Sequence, residues 1–126
     1  MNTFQPRPVI LTGHYWSNIL KKVVRGTDMV VRFGGEEFLV LLLDIKTEDA
    51  IEVAEKIRQM VEEMKIKVSN GFIQKTISIG VSEFPADTQN FWEAIKFADV
   101  ALYKAKERGR NKVIRFSAEM WAEEKY

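Results

Sequence analysis

The strongest constraint on the fold is a glycine pair, Gly34 and Gly35, between two apolar runs at residues 29–33 and 37–43. Glycine adopts positive φ without a steric penalty, and a glycine pair between β-type runs is typical of a tight hairpin turn. Nearly all residues from 37 to 43 are Phe, Leu or Val, and so continuous a run predicts a strand buried on both faces. The sequence therefore predicts two antiparallel strands joined by a glycine turn.

Two carboxylates, Glu36 and Glu37, follow the glycines directly. Backbone amides at a glycine turn can approach a phosphate closely, and carboxylate oxygens suit a hard cation such as Mg²⁺ that also binds substrate phosphates. Adjacent strand residues point to opposite faces, so a regular strand presents only one of the two acids to a given ligand. The alternative is an ordinary hairpin with two solvated acids, because so short a motif often occurs by chance.

The remaining pattern predicts the element order β-α-β-β-α-β, with a small hairpin and a final helix and strand, which is an α+β, ferredoxin-like arrangement with helices packed on an antiparallel sheet. The predicted elements around the central hairpin are a short strand at 9–11, a helix at 13–25 capped by Thr12, a helix from Thr47 to about residue 65, a hairpin turn at Asn70-Gly71, a strand at 76–84, a helix between Asn90 and Gly109, and a strand at 112–116.

The last of these helices has a clear start and a clear apolar face. Asn90 with Glu93 three residues later forms a capping-box pattern. Apolar residues at helical spacing predict the buried side, and these are Trp92, Ile95, Ala98, Leu102 and Ala105.

Composition excludes several classes of protein. A chain of 126 residues with 46% hydrophobic and 29% charged residues is typical of one globular domain. Its net charge of +1 gives no field that would favour DNA, RNA or a membrane surface. The absence of cysteine excludes disulfides and thiolate metal sites, and a single histidine excludes a multi-histidine site. Neither a membrane segment nor a signal peptide is expected, and we expect a cytoplasmic location.

Four segments together resemble the GGDEF-domain diguanylate cyclases. Residues 34–38 (GGEEF) resemble the family signature with Glu in place of Asp, and residues 25–28 (RGTD) resemble its RxxD product-inhibition motif. Residues 76–81 (TISIGV) resemble its fourth strand, and residues 98–111 (ADVALYKAKERGRN) resemble its last helix and the turn that follows. The resemblance extends from about residue 16 to residue 116.

The resemblance implies a role for each matching residue in the signature and the last helix. Glu36 would ligate Mg²⁺ and help activate the 3′-hydroxyl of a GTP, and Glu37 would support it. The triphosphate would be held by Gly34, Gly35, Lys106 and Arg110. The alternative for the two cations is a solvated basic helix end that complements the helix dipole.

The upstream motif implies an inhibitory site. Arg25 would contact phosphate or guanine of cyclic di-GMP, and Asp28 would accept a hydrogen bond from guanine. The alternative is an arginine at a helix end followed by an aspartate in a turn.

The sequence departs from the family at its beginning. The family's first strand carries a metal-binding Asp, whereas residues 1–27 of this chain contain neither Asp nor Glu. We therefore expect 1–12 to be an arm or replacement strand, 13–116 to be the GGDEF-like domain and 117–126 to be a tail. We also expect segment 8–11 to pair beside the strand at 37–43 and leave no gap in the sheet.

Two functions fit the combination of the family motifs with an N-terminal segment that has no carboxylate. One is a diguanylate cyclase that converts two GTP to cyclic di-GMP and pyrophosphate as a homodimer, weak or inactive in this shortened form. The other is a degenerate domain that serves as a cyclic di-GMP receptor or dimerisation module.

Overall fold

The computed structural model describes residues 9–14, 29–33, 37–42 and 45–124. Its elements are β1 (Val9–His14), β2 (Met29–Phe33), β3 (Glu37–Leu42), α1 (Thr47–Glu63), β4 (Lys65–Val68), β5 (Gly71–Gln74), β6 (Ile79–Glu83), α2 (Phe91–Glu107), β7 (Val113–Arg115) and α3 (Ala118–Glu124).

The main sheet has the strand order β2-β3-β1-β6-β7. Strands β2, β3, β1 and β6 pair antiparallel with one another in the ferredoxin-like order, which confirms the predicted α+β fold. Strand β7 extends this sheet in parallel with β6. Strands β4 and β5 form the predicted separate hairpin, in which Val68 pairs with Gly71. Gly71 has a φ of +135°, a conformation that glycine allows.

Strand β1 lies at the centre of the sheet, between β3 and β6. The predicted pairing of segment 8–11 beside β3 is confirmed for residues 9–11, since Leu11 lies opposite Val40. The strand continues to His14, so the prediction of Thr12 as a helix cap and of a helix start at residue 13 is wrong. Pairing on both sides satisfies the backbone groups of β1 through Gly13, which outweighs the local preference of Thr12. Residues 15–25 of the predicted helix lie outside the described residues.

Strand β3 is buried on both faces, as its continuous apolar sequence predicted. One face packs on α1, which buries residues at helical spacing. The members of this core are Phe38, Val40 and Leu42 of β3, Ile79 and Val81 of β6, and Ala50, Ala54, Ile57 and Val61 of α1. The other face presents Leu39 and Leu41 to Ala94 and Ala98 of α2. Helices therefore cover both faces of the sheet.

Helix α1 begins at Thr47, as predicted, whereas the predicted start of β6 is wrong. Thr47 does not cap α1, because Lys46 occupies the N-cap position and the Thr47 hydroxyl donates to Glu83 Oε2 at 2.6 Å. Strand β6 begins at Ile79 instead of residue 76. Ile79 pairs with Gly13 near the end of β1, so the preceding residues have no register partner in that strand.

Helix α2 lies unusually close to β6. Its buried face is a row of alanines with no exposed area, and the members are Ala94, Ala98, Ala101 and Ala105. The facing positions of β6 are small: the Ser82 hydroxyl donates to Ala94 O at 2.6 Å, and Gly80 lies against the backbone of Ala98 and Leu102. A Cβ at Gly80 would lie 2.0 Å from Ala98 O, so the helix can occupy this position only above a glycine.

The start of α2 confirms one prediction and contradicts another. Asn90 Oδ1 accepts from Glu93 N at 3.2 Å, as the capping pattern predicted. Trp92 was expected on the buried side but is 75% exposed. Successive helix positions are about 100° apart, so Trp92, two residues before Ala94, lies roughly 200° from the alanine row.

Helix α3 packs on the outer side of α2 and on β7. Phe97 stacks on Phe116 with ring centroids 4.1 Å apart, and Trp121 of α3 lies 5.1 Å from Phe97. The segment expected to be a tail, 117–126, therefore contains a short, packed helix. Among the described residues, no helix is both long enough and apolar enough to cross a membrane.

We predict that Gly80→Ala lowers the free energy of unfolding by about 3 kcal/mol or more, the upper range for overpacking a core. The added methyl would meet backbone atoms of α2, which cannot rotate away as a side chain could. Chemical denaturation of the variant and the parent measures the loss.

Gly71→Ala is the control, because a Cβ there meets nothing within 4 Å and only the positive φ opposes it. We expect a smaller loss for this variant. Equal stability of Gly80→Ala and the parent would contradict the close approach of α2.

Candidate functional site

The two apolar runs around the glycine pair form the predicted hairpin. Strands β2 and β3 pair antiparallel from Met29 opposite Leu41 to Phe33 opposite Glu37. The register therefore brings the two strands together on either side of residues 34–36. Glu37 is the first residue of β3, and Gly34, Gly35 and Glu36 lie outside the described residues.

Strands β3 and β7 both begin on the same side of the sheet, and "edge" here means the row of strand ends on that side. His14 pairs with Glu37, Gly13 pairs with Ile79, and Ile79 pairs with Val113. The segment 108–112, between α2 and β7, therefore reaches the sheet at the same edge as the β2–β3 hairpin, and Ile79 N donates to Lys112 O at 3.0 Å. With strands about 4.8 Å apart, Glu37 and Val113 are separated by roughly 14 Å across the sheet.

Helix α2 brings its carboxyl end over this edge. The helix runs antiparallel to β6, since Ser82 contacts Ala94 and Gly80 contacts Ala98 and Leu102. The next turn of the helix, with the half-buried Lys106, continues past Gly80 toward the start of β6. The two cations that the sequence singled out therefore belong to the same end of the sheet as the hairpin.

The turn after α2 has an unusual backbone. Gly109 has a φ of +111°, as expected of a glycine that ends a helix, but Arg110 and Asn111 also have positive φ, at 64° and 50°. Arg110 N donates to Ala105 O at 2.9 Å, which closes the helix end. The Arg110 side chain is exposed. Sequence reasoning predicted the glycine and missed the two residues after it, because left-handed conformations of residues other than glycine are uncommon.

Asn111 connects this turn to α1 and to the start of β6. Its backbone N donates to Ser78 Oγ at 3.0 Å, and its Oδ1 accepts from Arg58 Nη1 at 3.1 Å. Its Nδ2 donates to Glu62 Oε2. Arg58 and Glu62 also form an i, i+4 ion pair within α1, and no local pattern in the sequence links them to a residue so far along the chain.

Positive charge accumulates at this end of α2. Residues 104–112 contain Lys104, Lys106, Arg108, Arg110 and Lys112. The same segment contains one acid, Glu107, whose carboxylate lies 3.3 Å from Lys104 Nζ. A concentration of cations around exposed backbone favours an anion such as a phosphate group.

The described structure does not test the predicted inhibitory site. Arg25 and Asp28 lie outside the described residues, and β2, which follows them, begins at the end of the hairpin remote from residues 34–36. Within the part of the chain that the structure describes, no group of three or more His, Cys, Asp or Glu side chains could hold a metal ion.

Comparison with known proteins identifies the family. The family model for "Diguanylate cyclase, GGDEF domain" matches residues 14–112. Diguanylate cyclase A of Treponema denticola is 42% identical over 97 residues, which is 77% of this chain and 26% of that protein. The chain thus spans about a quarter of the length of this relative.

Solved structures show the same fold. The GGDEF domain of DgcB from Caulobacter crescentus, in complex with c-di-GMP, has a TM-score of 0.77 and 21% identity, over 87% of this chain and 78% of that one. The active GGEEF domain of a diguanylate cyclase from Vibrio cholerae has a TM-score of 0.77 and 24% identity, over 90% of this chain and 84% of that one. With the family match over most of its length, the chain belongs to the GGDEF domain family of diguanylate cyclases.

Proposed function

We propose that this chain is a diguanylate cyclase-type module that binds GTP at the sheet edge shared by the β2–β3 hairpin and the turn after α2. The observation that carries the proposal is the strand register, in which Glu37 pairs with His14, the neighbouring Gly13 pairs with Ile79, and Ile79 pairs with Val113. The ends of β2 and β3 that flank the glycine pair therefore lie on the same side of the sheet as the basic end of α2. This combination suits a triphosphate with its metal ion.

In this proposal the triphosphate is bound from two sides. Lys106 and Arg110 neutralise phosphate oxygens, and the arginine fork can bind two oxygens at once. The backbone amides of Gly34 and Gly35 approach the phosphates from the hairpin. Because the proposed substrate is GTP, we place the protein in the cytoplasm.

The metal ion of the proposal is Mg²⁺, held by Glu36 with support from Glu37. Carboxylate oxygens are the ligands that Mg²⁺ prefers, so the donor set of the signature fits this ion. The described residues add no further cluster of acids, so phosphate oxygens and water would complete the shell. Bound Mg²⁺ would supply charge neutralisation for phosphoryl transfer.

The reaction requires two such domains. The 3′-hydroxyl of each GTP attacks the α-phosphate of the other, so that two P–O bonds form and two pyrophosphates leave. Because one domain holds one GTP, the proposed active unit is a homodimer with the two sites facing each other. Most of the acceleration in such a reaction comes from positioning and charge stabilisation.

A second function is favoured by the composition of β1. This central strand has the sequence VILTGH and carries no carboxylate, and residues 1–27 contain none. A domain that lacks one metal ligand can still bind the dinucleotide product. The alternative proposal is therefore a cyclic di-GMP receptor or dimerisation module that uses Arg25 and Asp28.

We predict that Arg110→Ala weakens binding of GTP with Mg²⁺ by about ten- to hundredfold, the effect of losing a hydrogen bond to a charged group. Isothermal titration calorimetry measures the change. Arg108→Ala is the matched control, because it removes the same charge from an exposed position two residues away.

We expect this control to stay within about threefold of the parent, as is usual for an exposed charge. Equal weakening by both variants would assign the effect to general charge and contradict the role of Arg110. Absence of GTP binding by the parent would overturn the cyclase proposal.

We predict no appreciable synthesis of cyclic di-GMP by this chain. Without a carboxylate in β1, the site loses charge stabilisation that is commonly worth on the order of 10²–10³ in rate. The assay incubates the protein with GTP and Mg²⁺ or Mn²⁺ and measures pyrophosphate and the cyclic dinucleotide.

The control for this assay is a pair of variants. Rapid product formation that is lost in Glu36→Gln and kept in Glu48→Gln would show that another carboxylate, such as Asp44 or one from a second copy, reaches the site. That result would contradict our interpretation of the N-terminal segment.

If the chain is a receptor, its ligand is cyclic di-GMP, and we predict that binding of this dinucleotide depends on Arg25. Arg25→Ala should weaken binding by roughly 1.5–3 kcal/mol, the usual contribution of a hydrogen bond to a charged group. Calorimetry with the dinucleotide measures this loss, with Arg108→Ala as a charge-matched control. Unchanged affinity in Arg25→Ala would rule out this assignment.

A further inference from the structure

The turn after α2 holds its two non-glycine residues in a conformation that needs support. Arg110 and Asn111 have φ values of 64° and 50°, and consecutive left-handed residues with side chains are strained. Such a backbone persists only where its surroundings fix it. The hydrogen bonds around Asn111 provide this support.

Asn111 forms hydrogen bonds through its backbone N and through both polar atoms of its side-chain amide. Its backbone N donates to the hydroxyl of Ser78, which is 7% exposed, at 3.0 Å. Its carbonyl oxygen accepts from Arg58 at 3.1 Å, and its amide nitrogen donates to Glu62. Only an amide side chain of this length offers an acceptor and a donor together, so Asp and Ala cannot replace it.

The partners of Asn111 are themselves fixed. Arg58 Nε donates to Glu55 Oε2 at 2.9 Å, and Arg58 Nη1 lies 3.6 Å from Glu62 Oε1. These residues belong to α1, whose apolar side is buried against the sheet on the face opposite α2. The turn is therefore held by a helix from the other layer of the molecule.

We infer that Asn111, held by Arg58, Glu62 and Ser78, is a positioning residue that directs the Arg110 side chain toward the nucleotide phosphates. The inference rests on the proposed function, in which Arg110 binds the triphosphate. Asn111 itself touches no substrate. It fixes the backbone from which Arg110 extends, so that less conformational freedom is lost when the phosphate binds.

A double-mutant cycle on GTP binding tests this role. Asn111→Gly removes both side-chain hydrogen bonds, while glycine still allows the positive φ. We expect Asn111→Gly to weaken GTP binding by about five- to tenfold in the parent chain and by less than about twofold in the Arg110→Ala background. Asn70→Gly, in the exposed β4–β5 turn, is the matched control and should bind GTP as the parent does.

A second pair of variants keeps the test decisive if Asn111→Gly does not fold. Glu62→Gln retains an oxygen that accepts from Asn111 Nδ2, whereas Glu62→Ala removes it. We expect GTP affinity to remain near that of the parent in Glu62→Gln and to fall in Glu62→Ala as it does in Asn111→Gly. Thermal melting of each variant separates lost positioning from lost folding.

The outcomes distinguish this inference from the proposed function. Equal weakening by Asn111→Gly with and without Arg110, or no weakening at all, overturns the positioning role and leaves the GTP site standing. A parent chain that binds no GTP overturns the proposed function and this inference with it.

Discussion

The contact between Gly80 of β6 and the backbone of α2 determines where the basic carboxyl end of α2 lies relative to the sheet. A Cβ at this position would lie 2.4 Å from Leu102 N, so the helix approaches the strand as closely as a missing side chain allows. The alanine row of α2 makes the same approach possible from the helix side. Backbone atoms set the distance, and they cannot adjust as side chains do. The carboxyl end of α2 is therefore fixed relative to the sheet.

The strand ends on each side of the sheet carry a network of polar contacts. Each network connects the helix layer that contains α1 with a loop next to α2. At one edge Asn111 connects the turn after α2 to α1. At the other, Arg115 donates to both oxygens of Asp87 at 2.8 and 3.1 Å and lies 3.6 Å from Glu83. Since Glu83 also accepts from Thr47 at the start of α1, this edge too is linked to that helix. The loops before and after α2 are thus both connected by polar contacts to α1, on the other face of the sheet.

Folding and catalysis place different demands on the central strand β1. The sheet needs backbone hydrogen bonds on both sides, and β1 provides them from Val9 to Gly13 toward β3 and β6. Metal-dependent phosphoryl transfer needs carboxylates, and β1 has none. A strand of this composition can complete the fold of the family without completing its proposed metal site. Belonging to the family and being active in it are separate properties for this chain.

The sequence by itself determined the features that depend on near neighbours along the chain. The β2–β3 hairpin, the β4–β5 hairpin and the Asn90 cap follow from local conformational preferences, and the structure confirms them. The family motifs also identified the fold, because four segments in order are specific where one is not. Of the predicted site residues, the described structure locates Glu37, Lys106 and Arg110 relative to one another.

Tertiary structure decided what depends on partners distant in sequence. Pairing with two strands extended β1 to His14 against the capping preference of Thr12. The spacing of Trp92 from the other apolar residues of α2 suggested burial. The alanine row faces the sheet instead, and Trp92 lies on the opposite side of the helix and is exposed. The left-handed turn at Arg110 and its connection to Arg58 through Asn111 have no local signature, because the two residues that meet are 53 positions apart. Short-range energies select elements, whereas close packing and hydrogen-bond satisfaction across the fold select their ends and contacts.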